Sequence, residues 1–187
     1  MTFSSLLGVA VLLSAASANA AMVTYTTTGI FGASGTSILT SGDSTLTFVG
    51  TTATLDTPVG NNFGVFNLAG GQLSGSLNPF DSSFTLTFLQ TAPTVGSSAV
   101  PGTVMGNVSF NSGILTYDPT LSSLSIANVT YTFDNPAYVL QVPAGSSGGV
   151  TTIQGTITGG EVPEPSTFAL LGAGITALAV ARRKRTA

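Results

Sequence analysis

Alternation with a period of two dominates this sequence and limits what it can become. In Phe84-Thr85-Leu86-Thr87-Phe88-Leu89, an extended chain puts Phe84, Leu86 and Phe88 on one face and Thr85 and Thr87 on the other. Similar runs cover residues 45–49, 52–55, 108–110, 114–117, 129–133, 138–142 and 150–158, rich in Thr, Val, Ile, Phe and Tyr and separated by Gly, Pro, Asn and Asp. Branched and aromatic side chains suit a pleated, half-buried surface, so these runs read as strands. Gly50-Thr51 and Asn111-Ser112-Gly113 read as hairpin turns. Residues 91–102 and 143–149, rich in Gly, Ser and Pro, read as loops. Ten to twelve short strands, no soluble helix and no repeat of fixed period predict an all-β fold. The expected form is an antiparallel two-sheet sandwich, jelly-roll-like, flanked by an N-terminal signal peptide helix and a C-terminal transmembrane helix.

Three segments follow. Residues 1–20 read as a secretory signal peptide, with an apolar core at 6–13 and a small-x-small cleavage site at Ala18-Asn19-Ala20 that would leave Ala21 first. Its start carries no Lys or Arg, which leaves an uncleaved anchor as the alternative. Residues 21–160 form one β domain, and residues 161–187 a tail.

Charge is scarce. Charged residues make up 6% of the chain, against ~25% in an average protein. Between residues 21 and 160 the only charges are Asp43, Asp56, Asp81, Asp118 and Asp134, with no Glu, Lys, Arg, His, Cys or Trp. A purely anionic domain is a poor partner for nucleic acid, because phosphate contacts need cations. Lack of cysteine excludes a disulfide-stapled fold.

The tail has three parts. Residues 161–165 form an acidic, proline-stiffened linker; 166–181 are uncharged and largely apolar; Arg182, Arg183, Lys184 and Arg185 follow. A helix over 166–181 reaches roughly 24 Å, short of the ~30 Å hydrocarbon core, and flanking cations can snorkel to make up the difference. Those four residues are the only Lys and Arg in the chain. They orient the C-terminus to the cytoplasm and the β domain to the outside. A buried C-terminal helix is the alternative, but it has no need of a terminal block of cations.

Val162-Pro163-Glu164-Pro165-Ser166-Thr167, the apolar run 168–181 and Arg182-Arg183-Lys184-Arg185 together resemble the PEP-CTERM sorting tail of exported bacterial proteins. Phe168 stands where that family often has Trp. The resemblance implies a Gram-negative bacterium, an inner-membrane-held intermediate and recognition by an exosortase, a membrane cysteine protease or transpeptidase. It also implies cleavage near Pro163-Glu164-Pro165 and a mature product at the cell surface or in the matrix, associated with exopolysaccharide or biofilm. The same tail is sometimes catalogued as an ice-binding protein C-terminal domain, a name that describes the tail and not an activity.

Absent side chains exclude most catalysis in the β domain. Without His or Cys there is no Ser-His-Asp triad, no Cys nucleophile and no ordinary zinc site. No P-loop occurs. A carboxylate glycosidase would need two of the five Asp, yet Asp56-Thr57-Pro58, Asp81-Ser82-Ser83, Asp118-Pro119 and Asp134-Asn135-Pro136 all read as turn starts. A structural calcium held by Asp and loop carbonyls is admissible, although no Asp-x-Asp spacing is present. The leading expectation is a non-enzymatic surface or matrix protein with no cofactor. Long uncharged strands also permit edge-to-edge self-association.

Two binding readings stand beside it. A carbohydrate-binding module would stack sugars on Tyr25, Tyr117, Tyr131 and Tyr138. An ice-binding face would need the Thr-x-Thr pairs at 24/26, 26/28, 45/47, 52/54, 85/87, 130/132 and 156/158 to come into register; otherwise these threonines only solvate outer sheet faces. Asn107-Val108-Ser109 and Asn128-Val129-Thr130 match the N-glycosylation pattern, in a bacterial chain a chance match.

Overall fold

The alternation in residues 84–89 belongs to a longer strand in the computed structural model, in which burial switches with nearly every residue from Asn78 to Ala92. The structure describes residues 21–69, 78–109, 112–142, 148–159 and 171–175. Among these are twelve strands: β1 (Met22–Phe31), β2 (Ile38–Ser41), β3 (Ser44–Val49), β4 (Thr52–Asp56), β5 (Val59–Ala69), β6 (Asn78–Ala92), β7 (Gly96–Ser109), β8 (Ser112–Pro119), β9 (Ser123–Ile126), β10 (Val129–Phe133), β11 (Tyr138–Val142) and β12 (Gly148–Gly159). All belong to one unit, Ala20–Val162.

The fold is all-β, with two antiparallel sheets of six strands. One sheet runs β11-β8-β7-β6-β1-β4 and the other β2-β3-β5-β12-β10-β9. The inward side chains of the two sheets meet between them. Phe84 of β6 lies 5.0 Å from Phe66 of β5, Phe88 of β6 lies 5.0 Å from Phe63 of β5, and Tyr25 of β1 lies 5.5 Å from Tyr131 of β10, ring centre to ring centre. Edge-to-face and tilted geometries dominate these contacts, as the ring quadrupole favours.

Both sheets carry a register shift. Thr24 pairs with Ala92 but Tyr25 with Gln90, leaving Thr91 extra; Ile153 pairs with Gly64 but Gln154 with Asn62, leaving Phe63 extra. Such bulges increase local twist and bend the strands. The second is accommodated at Gly64, whose φ of 138° and close approach to the Phe48 ring leave no room for a Cβ.

Several expectations change. Residues 45–49 and 52–55 are strands, but Gly50-Thr51 is no hairpin: β3 pairs with β2 and β5, while β4 pairs with β1 in the other sheet. The turn is a crossover between layers. Thr27 holds it, because its N–H donates to the Thr51 carbonyl at 2.8 Å and its Oγ1 accepts from the Thr51 N–H at 2.8 Å. The second hairpin does form, with Ser109 opposite Ser112, so Ser112 and Gly113 are strand residues and the connection is residues 110–111. Residues 96–102, expected in a loop, extend β7 beside β6 from Gln90↔Gly96 to Phe84↔Gly102. Cross-strand pairing overrides their Gly and Ser content. In the other expected loop, Gly148 and Gly149 already pair with β5. Strands β6, β7 and β8 form a meander of hydrogen-bonded neighbours, not the paired Greek keys of a jelly roll.

The edge strands β4, β11, β2 and β9 are only four or five residues long. Short edges are one natural means of blunting edge-to-edge pairing. The expected signal peptide helix lies outside the described residues, as does most of the expected transmembrane helix. Residues 171–175 are helical and exposed. Among the described residues no helix is long and apolar enough to cross a membrane.

Candidate functional site

The two ends of the β unit come together on one residue. Thr57 sits in the connection from β4 to β5, where the chain passes between sheets, and it is buried at 4% exposure. Its N–H donates to the Ala21 carbonyl at 3.2 Å, and its Oγ1 donates to the Gly159 carbonyl at 2.5 Å. The Oγ1 also lies 3.2 Å from the Ala21 carbonyl. A hydroxyl has one proton; the shorter contact is to Gly159, and the amide keeps Ala21. Ala21, expected as the first residue after signal removal, is thus fixed beside the last residue of β12. Sequence reasoning took Thr57 only as part of a turn, and no local signal marked it as a tie between distant segments.

Val162, Pro163, Glu164, Pro165 and Ser166 of the expected sorting motif lie outside the described residues. So do Ala18 and Ala20 of the expected cleavage site and the cations Arg182, Arg183, Lys184 and Arg185.

The carboxylates are dispersed. Asp43 lies in the β2–β3 turn and accepts from Asn78 Nδ2 at 2.6 Å. Asp134 follows β10 and accepts from Thr156 Oγ1 at 3.3 Å. Asp56 ends β4. Asp81 is not at a turn: it lies within β6, exposed and paired with Met105. Asp118 faces outward from β8 opposite Thr103. Asp81 and Asp118 therefore share an outer face, two strands apart, roughly 10 Å laterally. Among the described residues no group of three or more acidic side chains comes together as a metal site.

The tyrosines are not where sugar stacking needs them. Tyr25, Tyr117, Tyr131 and Tyr138 are all buried, none more than 4% exposed. They are inward residues of their strands, so their ring faces pack against Phe63, Phe66, Phe84, Phe88 and Phe133 instead of solvent. This overturns stacking on these four rings as a mode of carbohydrate binding. Burial raises the pKa of each; that of Tyr25 is pushed up to about 12, with the Asn61 amide opposing the shift. Three hydroxyls find partners: Tyr25 donates to the Asn62 carbonyl, Tyr131 to Gln90 Oε1 and Tyr138 to the Gln154 carbonyl. The Tyr117 hydroxyl has none among the described residues. Tyr117 borders a cavity of about 10 Å³ that Leu115, Leu140 and Thr151 also line.

Threonine pairs come into partial register. Thr24 lies opposite Thr54 and Thr26 opposite Thr52, each with Oγ1 atoms 3.0 Å apart. Thr130 lies between Ser125 and Thr158, and Thr132 between Ser123 and Thr156. Each sheet therefore shows a small hydroxyl patch, the second bordered by the Asp134 carboxylate. The rows are broken elsewhere, since Leu89 follows Thr26 and Ile30 faces Thr85. Asn107 is exposed in β7, and Asn128 lies in the β9–β10 turn.

A family signature described as the PEP-CTERM protein-sorting motif matches residues 161–185. No curated protein and no solved structure matches the chain.

Proposed function

We propose that this chain, which carries the PEP-CTERM protein-sorting motif at residues 161–185, is an exported, non-enzymatic surface or matrix protein. The motif carries the reading. An exosortase recognises Pro163-Glu164-Pro165, the apolar run 168–181 holds the precursor in the inner membrane, and Arg182 to Arg185 keep its end cytoplasmic. Processing near the motif passes the β domain to the cell surface or the extracellular polymer. Once separated from the tail cations, residues 21–160 have only Asp as charges. A neutral exopolysaccharide suits such a domain better than an anionic one. Contact with it would run over the hydroxyl patches of the outer sheet faces, since the tyrosine rings are internal.

The test is the location and intact mass of the protein in native cells, with both termini mapped. The expected product starts at Ala21, ends near Pro163 and lies outside the inner membrane. A full-length C-terminus retained in the inner membrane would make the tail a plain anchor and overturn the sorting role. Replacing Arg182, Arg183, Lys184 and Arg185 with neutral residues should reduce membrane retention of the precursor, and unchanged retention would remove their orienting role.

A further inference from the structure

We propose that Thr57 is a positioning residue that pins the last residue of β12 and so limits how much of the β unit a processing enzyme can draw out. The proposal rests on the sorting reading for its biological role, but the clasp itself lies wholly within the β unit.

Gly159 ends β12 for a geometric reason. Its φ is 87°, and a Cβ there would stand 2.1 Å from the Asn128 carbonyl oxygen, so the position accepts only glycine without rearrangement. Its partner across the ladder is Val129, the last pair between β10 and β12. Strand ends fray when nothing holds them. Here the final carbonyl is held by Thr57 Oγ1, 102 residues away in sequence. The backbone of Thr57 meanwhile holds Ala21, next to the first pair of β1 with β4, Met22↔Asp56.

This clasp limits the tail. Only Gly160, Glu161 and Val162 separate Gly159 from Pro163. Four residue steps span at most about 14 Å. A protease that binds its substrate as an extended chain competes for the same backbone groups that the ladder uses. Residues up to Gly159 are already committed, so a processing enzyme must work within this short leash. Opening the clasp releases Gly159 and Thr158 for an enzyme to draw on. Because one residue holds both ends, the N-terminal strand is coupled to the tail exit: loss of Ala21 should loosen Gly159 as well.

The experiment compares wild type, Thr57→Val and Thr57→Ser as full-length chains extracted in mild detergent. Each is digested briefly with a nonspecific protease under native conditions, and products are read by intact mass. Thr57→Val keeps the shape of the side chain but removes the donor. It should raise the rate of cutting between residues 156 and 160 by roughly fivefold, the change expected for loss of one net hydrogen bond from a locally closed state. Thr57→Ser restores the donor and should digest like wild type. A core variant away from the β10–β12 ladder, Phe31→Leu, whose ring packs on Phe66 and Phe84, serves as control and should leave cutting at 156–160 unchanged. Equal patterns for wild type and Thr57→Val, or the same increase in the control, would overturn the clasp. In native cells Thr57→Val should also speed tail removal. Faster digestion without faster removal would overturn the positioning role. Absence of tail removal in wild-type cells would instead count against the sorting reading, while digestion still decides the clasp.

Discussion

Thr27 and Thr51 are joined by reciprocal bonds at the corner where the chain leaves one sheet for the other. The Thr27 amide donates to the Thr51 carbonyl at 2.8 Å, and the Thr51 amide donates to Thr27 Oγ1 at 2.8 Å. The same Oγ1 then donates to the carbonyl of Phe63 at 2.8 Å, on the residue made extra by the β5 bulge. One buried hydroxyl thus serves two backbone groups from two irregular segments. Thr27→Val preserves shape and leaves both groups unpaired. The expected loss is roughly 2–4 kcal/mol of unfolding free energy, since a buried unpaired group costs ~1–3 kcal/mol and the Thr51 amide, only part-buried, adds less than the Phe63 carbonyl. Urea unfolding measures it, and a loss under 1 kcal/mol would show that the corner does not depend on Thr27.

Two tyrosine-to-phenylalanine changes should differ in size. Tyr131 donates to Gln90 Oε1 at 2.8 Å, and both residues are fully buried. Gln90 stays tied to the Thr94 carbonyl through Nε2, so Tyr131→Phe leaves Oε1 without its donor. A loss of about 1–3 kcal/mol is expected. Tyr117→Phe removes a hydroxyl with no protein partner among the described residues and should be near neutral or stabilising. Equal losses in paired unfolding curves would refute this contrast.

Gly29→Ala should destabilise, although alanine ordinarily improves a strand position. A Cβ on Gly29 would lie 2.3 Å from the Phe84 ring and 2.5 Å from the Phe48 ring. Both rings are buried and already packed on each other at 5.1 Å. Overpacking of this kind costs about 1–3 kcal/mol. The melting temperature should fall, and a rise would mean that the two rings shift freely.

Alkali should unfold the domain. Burial raises the pKa of all four tyrosines above the unfolded value of ~10. Between pH 10 and the folded values, the unfolded chain has released protons that the folded chain keeps. Stability from this source is therefore complete below pH 10 and declines as pH rises through about 12, the value for Tyr25. Each tyrosine contributes a slope of up to ~1.4 kcal/mol per pH unit. Urea midpoints measured from pH 8 to 11.5 should be flat and then fall, and Tyr131→Phe should lessen the fall. A flat profile to pH 11.5 would contradict the burial of the four phenols.

The sequence by itself determined the class of fold, the faces of the strands and the sorting tail. Phe84, Leu86 and Phe88 point inward and Thr85 and Thr87 outward as their spacing requires, because side-chain direction in a strand is a local property of the backbone. The tail is legible because its three parts are contiguous and its match at residues 161–185 needs no folding to be seen. Tertiary structure alone decided which strands pair, and therefore which residues meet. Gly50-Thr51 has the composition of a hairpin turn, yet it separates two sheets, because the groups that hold it, on Thr27, lie more than twenty positions earlier. Aromatic content likewise does not tell a binding surface from a core. Tyr25, Tyr117, Tyr131 and Tyr138 suit either role until packing places them between the sheets. Thr57 had the most ordinary local context of all, and its place between Ala21 and Gly159 exists only once both ends of the domain have been folded onto it. Local alternation is encoded residue by residue, but contacts between distant segments are settled by the whole chain burying its apolar faces at once.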